Sequence, residues 1–475
     1  MSSLHSLRTI RCTGVLVVAL ALAWSLPALA DKKPTRLTLP ELMARAKSNP
    51  LSRAARQATL AAKARVAEAR GARLGSISVT SFLAPSPNIE CRDEAGATVK
   101  RPSNWRECDS TNNKDVSIGI SGIFTGVRAT WTLPVFTFGK LGAIGDAAKR
   151  AATATRAKEG SVAGKVAVEV ARVYYGLKLA RELRWMLEDG RDEINKAMKK
   201  LDKHLAAGTG DVTVQDKLRL DTLVAEVGVR LVDAKASEAN ALAAIRVIAK
   251  DKAIDIDEEA LEPTKFTLLA KSAAYLAKAR SHHPQLDAAR AGLQAVKALE
   301  RYERRKWFPD LALVAGVSFS VAPDVPNAPS AFANDPYNTL GASLGLVLRW
   351  KIEPLMTRAR VNHAQANTRR AAALLDGAVL AADLSVSRAH NTAKQARQKL
   401  ALAKRGEKSA KGWVASVVQA DAIGVISAKD MADAYVAYFT AKARVLQSLY
   451  EWNLAVIKLR RVSGEFAAAH KRRKD

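Results

Sequence analysis

The sequence predicts a mainly helical protein with a minor membrane-type β component, built as two internal repeats. Three observations lead there: a duplicated segment, four short alternating stretches, and helical runs far longer than a globule accommodates. The duplication is clearest around Asn49-Pro50 and His283-Pro284. Each is followed at the same spacing by Ala-Ala-Arg, at Ala54-Ala55-Arg56 and Ala288-Ala289-Arg290. In both halves a helical run then leads into a short alternating region and a very long helical pair, as a tandem structural repeat requires.

The opening residues read as a targeting segment. Arg8 and Arg11 form a positive start, Val15 to Leu26 is apolar, and Ala28-Leu29-Ala30 is a small-x-small cleavage site before Asp31. Residues 1–30 are thus expected to be a secretory signal peptide, the alternative being an uncleaved anchor. No other stretch is apolar for ~18 residues, so no spanning helix is expected. An exported chain with Cys91 and Cys108 in one polar stretch suggests a disulfide, with two free thiols as the alternative.

The chain of 475 residues carries only 16 prolines and a formal charge of +29. Its cations are spread through helical sequence and are not interleaved with aromatics. A solvated helical surface therefore fits better than a nucleic-acid partner. Residues 466–475 read as a basic tail.

The second-half strands alternate most clearly. Leu311, Leu313, Ala315, Val317, Phe319 and Val321 alternate with small or polar residues. Leu340, Ala342, Leu344, Leu346, Leu348 and Trp350 do the same. The first half holds a looser pair, beginning at Ile77 and at Val116, with a bulge expected near Gly122. The hairpins are expected over about 76–138 and 310–350, with the loops 86–115 and 322–338 between their strands. The lengths suit membrane strands of ~9–11 residues, apolar outside and wet inside. Four strands cannot close a barrel, since the smallest need ~8, so several chains must share one; three give twelve strands. A soluble periplasmic sheet is the other reading.

Helical hairpins follow at about 141–250 and 355–462. Their first arms would reach on the order of 95 Å at ~1.5 Å per residue. Thr38-Leu39-Pro40-Glu41 reads as a capped helix start, and Pro309 stops the helix before it. The long hairpins reverse at Gly210–Asp216 and Gly424–Asp430, which share Gly-x5-Asp. Thr213-x-x-Asp216 and Ser427-x-x-Asp430 read as capping boxes.

These segments, taken together, resemble the TolC-type outer membrane efflux protein family. The matching residues are Leu37 to Leu42, both Pro50 and Pro284 segments, Trp307-Phe308-Pro309-Asp310-Leu311, Trp131 to Lys140, and the two hairpin turns. The first repeat departs with Leu74-Gly75 in place of Phe308-Pro309. The fourth strand departs with Trp350-Lys351-Ile352-Glu353-Pro354, lacking the usual Phe and Gly.

The resemblance implies a homotrimer, with an α-barrel tunnel continued by a 12-stranded β-barrel in outer membrane lipid. It divides the chain into repeats at 31–264 and 265–465. It implies a passive exit duct of an efflux or type I secretion system. The duct would be served by a periplasmic adaptor and an inner-membrane pump of RND, ABC or MFS type. By the same resemblance Asp430 and Asp433 line a periplasmic gate, and their spacing of three places them on one helix face. Asp216 is the matching acid of the first hairpin. Relatives use that acid to bond Tyr and Arg at the second turn, where this chain has Asp421 and Ile426, so the lock is missing or rebuilt. The turn residues Gly210, Val212, Gly424, Val425 and Ile426 are candidates for the adaptor contact.

No enzyme is expected. The chain has no Gly-rich phosphate loop, no Gly-x-Ser-x-Gly turn and no metal-spaced Cys/His cluster, so neither cofactor nor metal is implied. His282-His283 precede Pro284 and could bind a metal ion, but adjacent histidines point to different sides, so a solvated turn is expected. The remaining alternative is a soluble periplasmic coiled-coil scaffold or adaptor.

Overall fold

The computed structural model describes residues 35–92, 98–99, 116–208, 213–323, 325, 337–422 and 428–466. The signal-peptide segment, most of the basic tail and Cys108 lie outside the described residues, as does the side chain of Cys91.

A short strand, β1 (Thr35–Leu37), leads into helix α1 (Leu39–Arg45). The expected capping pair forms: the Thr38 amide donates to Glu41 Oε2 at 2.9 Å. Asn49 caps helix α2 (Pro50–Gly71), its side chain accepting from the Leu51 amide, with Pro50 at the first helical position. Strand β2 (Ser76–Arg92), the two-residue β3 (Thr98–Val99) and β4 (Val116–Phe136) follow. Helices α3 (Lys140–Ala207) and α4 (Val214–Ala249) form the first long hairpin. After β5 (Ile254–Ile256) come α5 (Ala273–His282) and α6 (Pro284–Arg305). The chain continues through β6 (Asp310–Val321) and β7 (Thr339–Arg349) to the second long hairpin, α7 (Pro354–Ala422) and α8 (Ala428–Val462).

The main sheet is antiparallel in the order β3-β2-β4-β6-β7. Its register sorts the side chains by face, because strand periodicity is two. Ile77, Trp131, Ala315 and Leu344 lie in one cross-strand row; Val79, Ala129, Val317 and Ala342 lie in another. The opposite face carries Ser78, Thr130, Gly316 and Ser343, then Thr80, Arg128, Ser318 and Gly341. The large residues of the first face remain exposed, including Ile77, Val79, Leu340, Leu344 and Leu346. On the small-residue face Phe82, Phe124 and Tyr337 form an edge-to-face aromatic cluster near the loop end.

The expected irregularity at Gly122 is present. Pro85 pairs with Ile123 and Pro87 with Ile120, so Ser121 and Gly122 bulge, and Gly122 has φ of 74°. One expectation needs correction. The span 86–115 was expected to be a loop, but β2 runs on to Arg92 and Cys91 pairs with Val116, so Cys91 lies in a strand. Pro85 and Pro87 are tolerated because they flank the bulge, where the ladder is already interrupted.

The sheet joins the helices through the two stretches the sequence singled out. Phe138 stacks on Phe308 with ring centroids 5.3 Å apart. Lys140 Nζ reaches the Phe308 carbonyl at 2.7 Å and Asp310 at 2.9 Å, while Arg305 Nη1 donates to the Gly139 carbonyl at 2.7 Å. Gly139 has φ of 77°, and a Cβ there would sit 2.6 Å from the Arg305 guanidinium. The indoles act as rivets: Trp131 Nε1 donates to the Leu74 carbonyl and Trp350 Nε1 to the Trp307 carbonyl. Gly75 makes the tightest passage. At φ of 75°, its backbone lies so close to Thr132 that a Cβ would fall 2.0 Å from the carbonyl oxygen.

Halfway down the helices, β5 pairs in parallel with β1. Ile254 and Ile256 are fully buried against Val170, Tyr174, Leu177 and Ile245. Asp255 and Asp257 share the other side of the strand and meet cations spaced along one face of α3. Arg181 grips both Asp255 oxygens at 2.7 and 2.8 Å and also Glu238, while the buried Lys178 pairs with Asp257. Tyr174 donates its hydroxyl to Asp257; burial, and then this carboxylate, push its phenol far above its usual pKa. The strap beyond β5 is fastened to α8. The fully buried Asn453 accepts from the Thr264 amide at 2.6 Å and donates to the Glu262 carbonyl at 2.8 Å. Packing of Leu261, Tyr275, Val386, Trp452 and Val456 completes the core beside it.

Replacing Asp257 with Asn would leave the Lys178 ammonium buried without its counter-charge. We expect the Asp257→Asn protein to lose about 3 kcal/mol in denaturant unfolding. A change below about 1 kcal/mol would show the pair is not structural.

Candidate functional site

The far ends of the two long hairpins bring together the residues expected to act. Helix α3 ends at Gly208, which adopts φ of 61° and returns its amide to the His204 and Leu205 carbonyls. Helix α4 starts with a reciprocal cap. The Thr213 amide donates to Asp216 Oδ2 at 3.0 Å, and the Asp216 amide to Thr213 Oγ1 at 3.3 Å. Asp216 is therefore committed to helix initiation. Beside it Lys217 Nζ bonds Asp202 Oδ1 at 2.6 Å across the hairpin, which holds the lysine above its usual pKa.

Beneath these caps an apolar cluster joins three helices. Ile194 and Leu201 of α3 and Leu220 of α4 pack with Ala432 of α8. This contact seats the start of α8 against the first hairpin. It also brings Asp433 to Arg219, with Nη2 to Oδ1 at 2.8 Å. Both side chains are partly exposed, at 49% and 41%. Asp430 is exposed on the first turn of α8. Of the expected gate residues, Asp433 is thus paired within the chain. Its partner Arg219 was not anticipated, because no spacing along α4 indicates which side chain of α8 will lie opposite. Gly210, Val212, Gly424, Val425, Ile426 and Ser427 lie outside the described residues.

The site holds carboxylates and cations in hydrogen-bonded pairs. Among the described residues no group of three or more His, Cys, Asp and Glu side chains is placed to hold a metal ion. His283 is buried at the start of α6, and burial, with Arg461 nearby, pushes its pKa down.

Comparison with known proteins places this architecture. Residues 275–465 match the model of the outer membrane efflux protein family. That segment runs from α5 through α8 and includes Trp307 to Leu311, Pro284 and the acids of α8. No curated protein sequence matches the chain. Solved structures match almost all of it at low identity, which establishes the fold. The CmeC outer membrane channel of Campylobacter jejuni is 15% identical, with a TM-score of 0.71 over 92% of this chain and 88% of that one. The outer membrane protein VceC of Vibrio cholerae is 14% identical, with a TM-score of 0.69 over 90% and 96%. The MtrE outer membrane channel of Neisseria gonorrhoeae, in its open state, is 15% identical, with a TM-score of 0.66 over 91% and 94%. The resemblance read from the sequence is borne out. The second half of the chain thus matches a family of outer membrane efflux proteins, and the whole chain shares the fold of solved outer membrane channels.

The Arg219–Asp433 pair is solvated, so its strength is limited by screening and by side-chain entropy. A double-mutant cycle with Arg219→Ala and Asp433→Ala, read by thermal unfolding, is expected to give a coupling of about 0.5 kcal/mol that shrinks in high salt. A salt-independent coupling would contradict a solvent-screened pair.

Proposed function

We propose that three copies of this chain form a passive exit duct through the bacterial outer membrane. The observation that supports this most directly is the open sheet. Apart from the short β3, the outer edges of β2 and β7 meet no strand among the described residues, and the apolar face they share is exposed. Unpaired backbone edges have no hydrogen-bond partners in lipid. Three such sheets side by side supply twelve strands and no edge, with the apolar rows outward and the Ser, Thr, Gly and Arg128 rows toward water. The long hairpins would continue the wall as a twelve-helix tunnel across the periplasm.

On this reading residues 1–30 direct export. The two repeats, 31–264 and 265–465, each contribute one strand pair and one helical hairpin. The basic segment 466–475 trails from the second, and Cys91 and Cys108 form a disulfide at the outer end. The turns with Gly210, Val212, Gly424, Val425 and Ile426 meet a periplasmic adaptor, and an inner-membrane pump of RND, ABC or MFS type supplies the energy.

Asp430 and Asp433 from three chains form acidic rings at the narrow end, which favour cations and repel anions. Arg219 holds Asp433 to the first hairpin and so acts as part of the rebuilt lock, beside the capped Asp216. Because that bond is weak, the closed end is poised to part when a partner binds the turns.

Detergent-extracted protein is expected to run as a heat-modifiable trimer and to form cation-selective pores in planar bilayers. Arg219→Ala should raise the mean conductance. The Asp430→Ala, Asp433→Ala double variant should lower cation selectivity. A stable monomer without pores would sink the duct reading, whereas pores with unchanged selectivity in the double variant would remove only the gate assignment.

A further inference from the structure

Above the tip cluster the three helices α3, α4 and α8 do not close on one another. They leave a cavity of about 350 Å³. Leu187 and Ile194 of α3, Leu223 and Val227 of α4, and Val436 and Phe439 of α8 form its walls. The space has a sequence cause. Gly190 presents bare backbone to Phe439, where a Cβ would come within 3.0 Å of the ring, so the ring leans onto α3. Ala180, Ala234 and Ala443 are too small to fill the remainder. The cavity is open to solvent on one side, where Asp233 and Val436 are exposed, and its apolar walls suit an apolar guest better than water.

The polar residues on the lining decide which guest. Arg230 is already paired with Glu226 within α4. Asp233, one turn further on the same helix, also lines the cavity, and it makes no ion pair or hydrogen bond with any described residue. The lining therefore carries one carboxylate in excess, beside an aromatic ring whose face attracts cations.

We infer that this cavity is a binding site for a small apolar monocation, with Asp233 as its counter-charge and Phe439 as its aromatic wall. The walls come from both long hairpins, so the site exists only while α8 lies against α3 and α4. A bound guest must favour that arrangement by the same factor that the arrangement favours the guest. Ile194, Leu223 and Val227 also belong to the tip cluster, so occupancy bears directly on whether the tip parts. This last consequence rests on the duct reading; the binding itself does not.

The test uses the purified full-length protein in detergent and a fluorescent planar cation, ethidium. Wild type is expected to bind it saturably, one per chain. The anionic 8-anilinonaphthalene-1-sulfonate should not displace it. Asp233→Asn should weaken binding about fivefold, as loss of one partly screened charge does. Val436→Trp, which fills the cavity from its exposed side, should abolish it, with circular dichroism confirming an unchanged helical content. If Val436→Trp fails to fold, Asp233→Asn decides alone. No saturable binding to wild type, wild-type affinity in Asp233→Asn, or displacement by the anion would each overturn the inference. Failure of ethidium to change pore conductance, with binding intact, would refute only the coupling to the tip.

Discussion

The buried charge of Lys178 is the constraint from which much of the arrangement follows. An ammonium taken out of water needs a counter-charge close by, and Asp257 is the residue that provides it. That pairing brings the end of β5 to α3. The strap after β5 must then start beside α3, and Asn453 fastens its middle to α8. Helix α8 is thereby held next to α3 along a shared core. Only because α8 lies there does Ala432 reach Leu201 and Leu220, and only then does Asp433 meet Arg219. A pair in the middle of the molecule thus determines the neighbours at its end.

The sheet obeys a different rule. Its residues are sorted by alternation, and cross-strand register keeps the sorting consistent over four strands. The tightest fits occur where strand becomes helix. There Gly75 and Gly139 accept backbone approaches that a side chain would block, and Arg305, Lys140 and the two tryptophans tie the loops down. These contacts fix the direction of the strands relative to the long helices.

Helical hairpins of this length are bonded firmly at the middle and lightly at the tip. The middle holds a buried ion network and fully buried aliphatic side chains. Among the described residues the tip holds a small apolar cluster, exposed helix caps and the solvated pairs Arg219–Asp433 and Lys217–Asp202. The cavity lies between these regimes, where the helices have separated enough to leave space yet still line it on three sides.

Much of this was legible in the residues themselves. Gly122 marks a bulge, Thr213, Pro50 and Pro284 mark helix starts, and the alternation from Leu311 and from Leu340 marks two strands. Such signals are local: a positive φ, a fixed proline ring or a two-residue period acts within a few positions. The extent of β2 is not legible because Pro85 and Pro87 signal a loop in isolation and are harmless at a bulge. Tertiary structure alone decided which cation meets which carboxylate. Lys178 and Asp257 are far apart in the chain, as are Arg219 and Asp433, and both lie among many similar residues. The empty space beside Gly190 was likewise invisible, because a cavity belongs to three helices at once and to none of them separately.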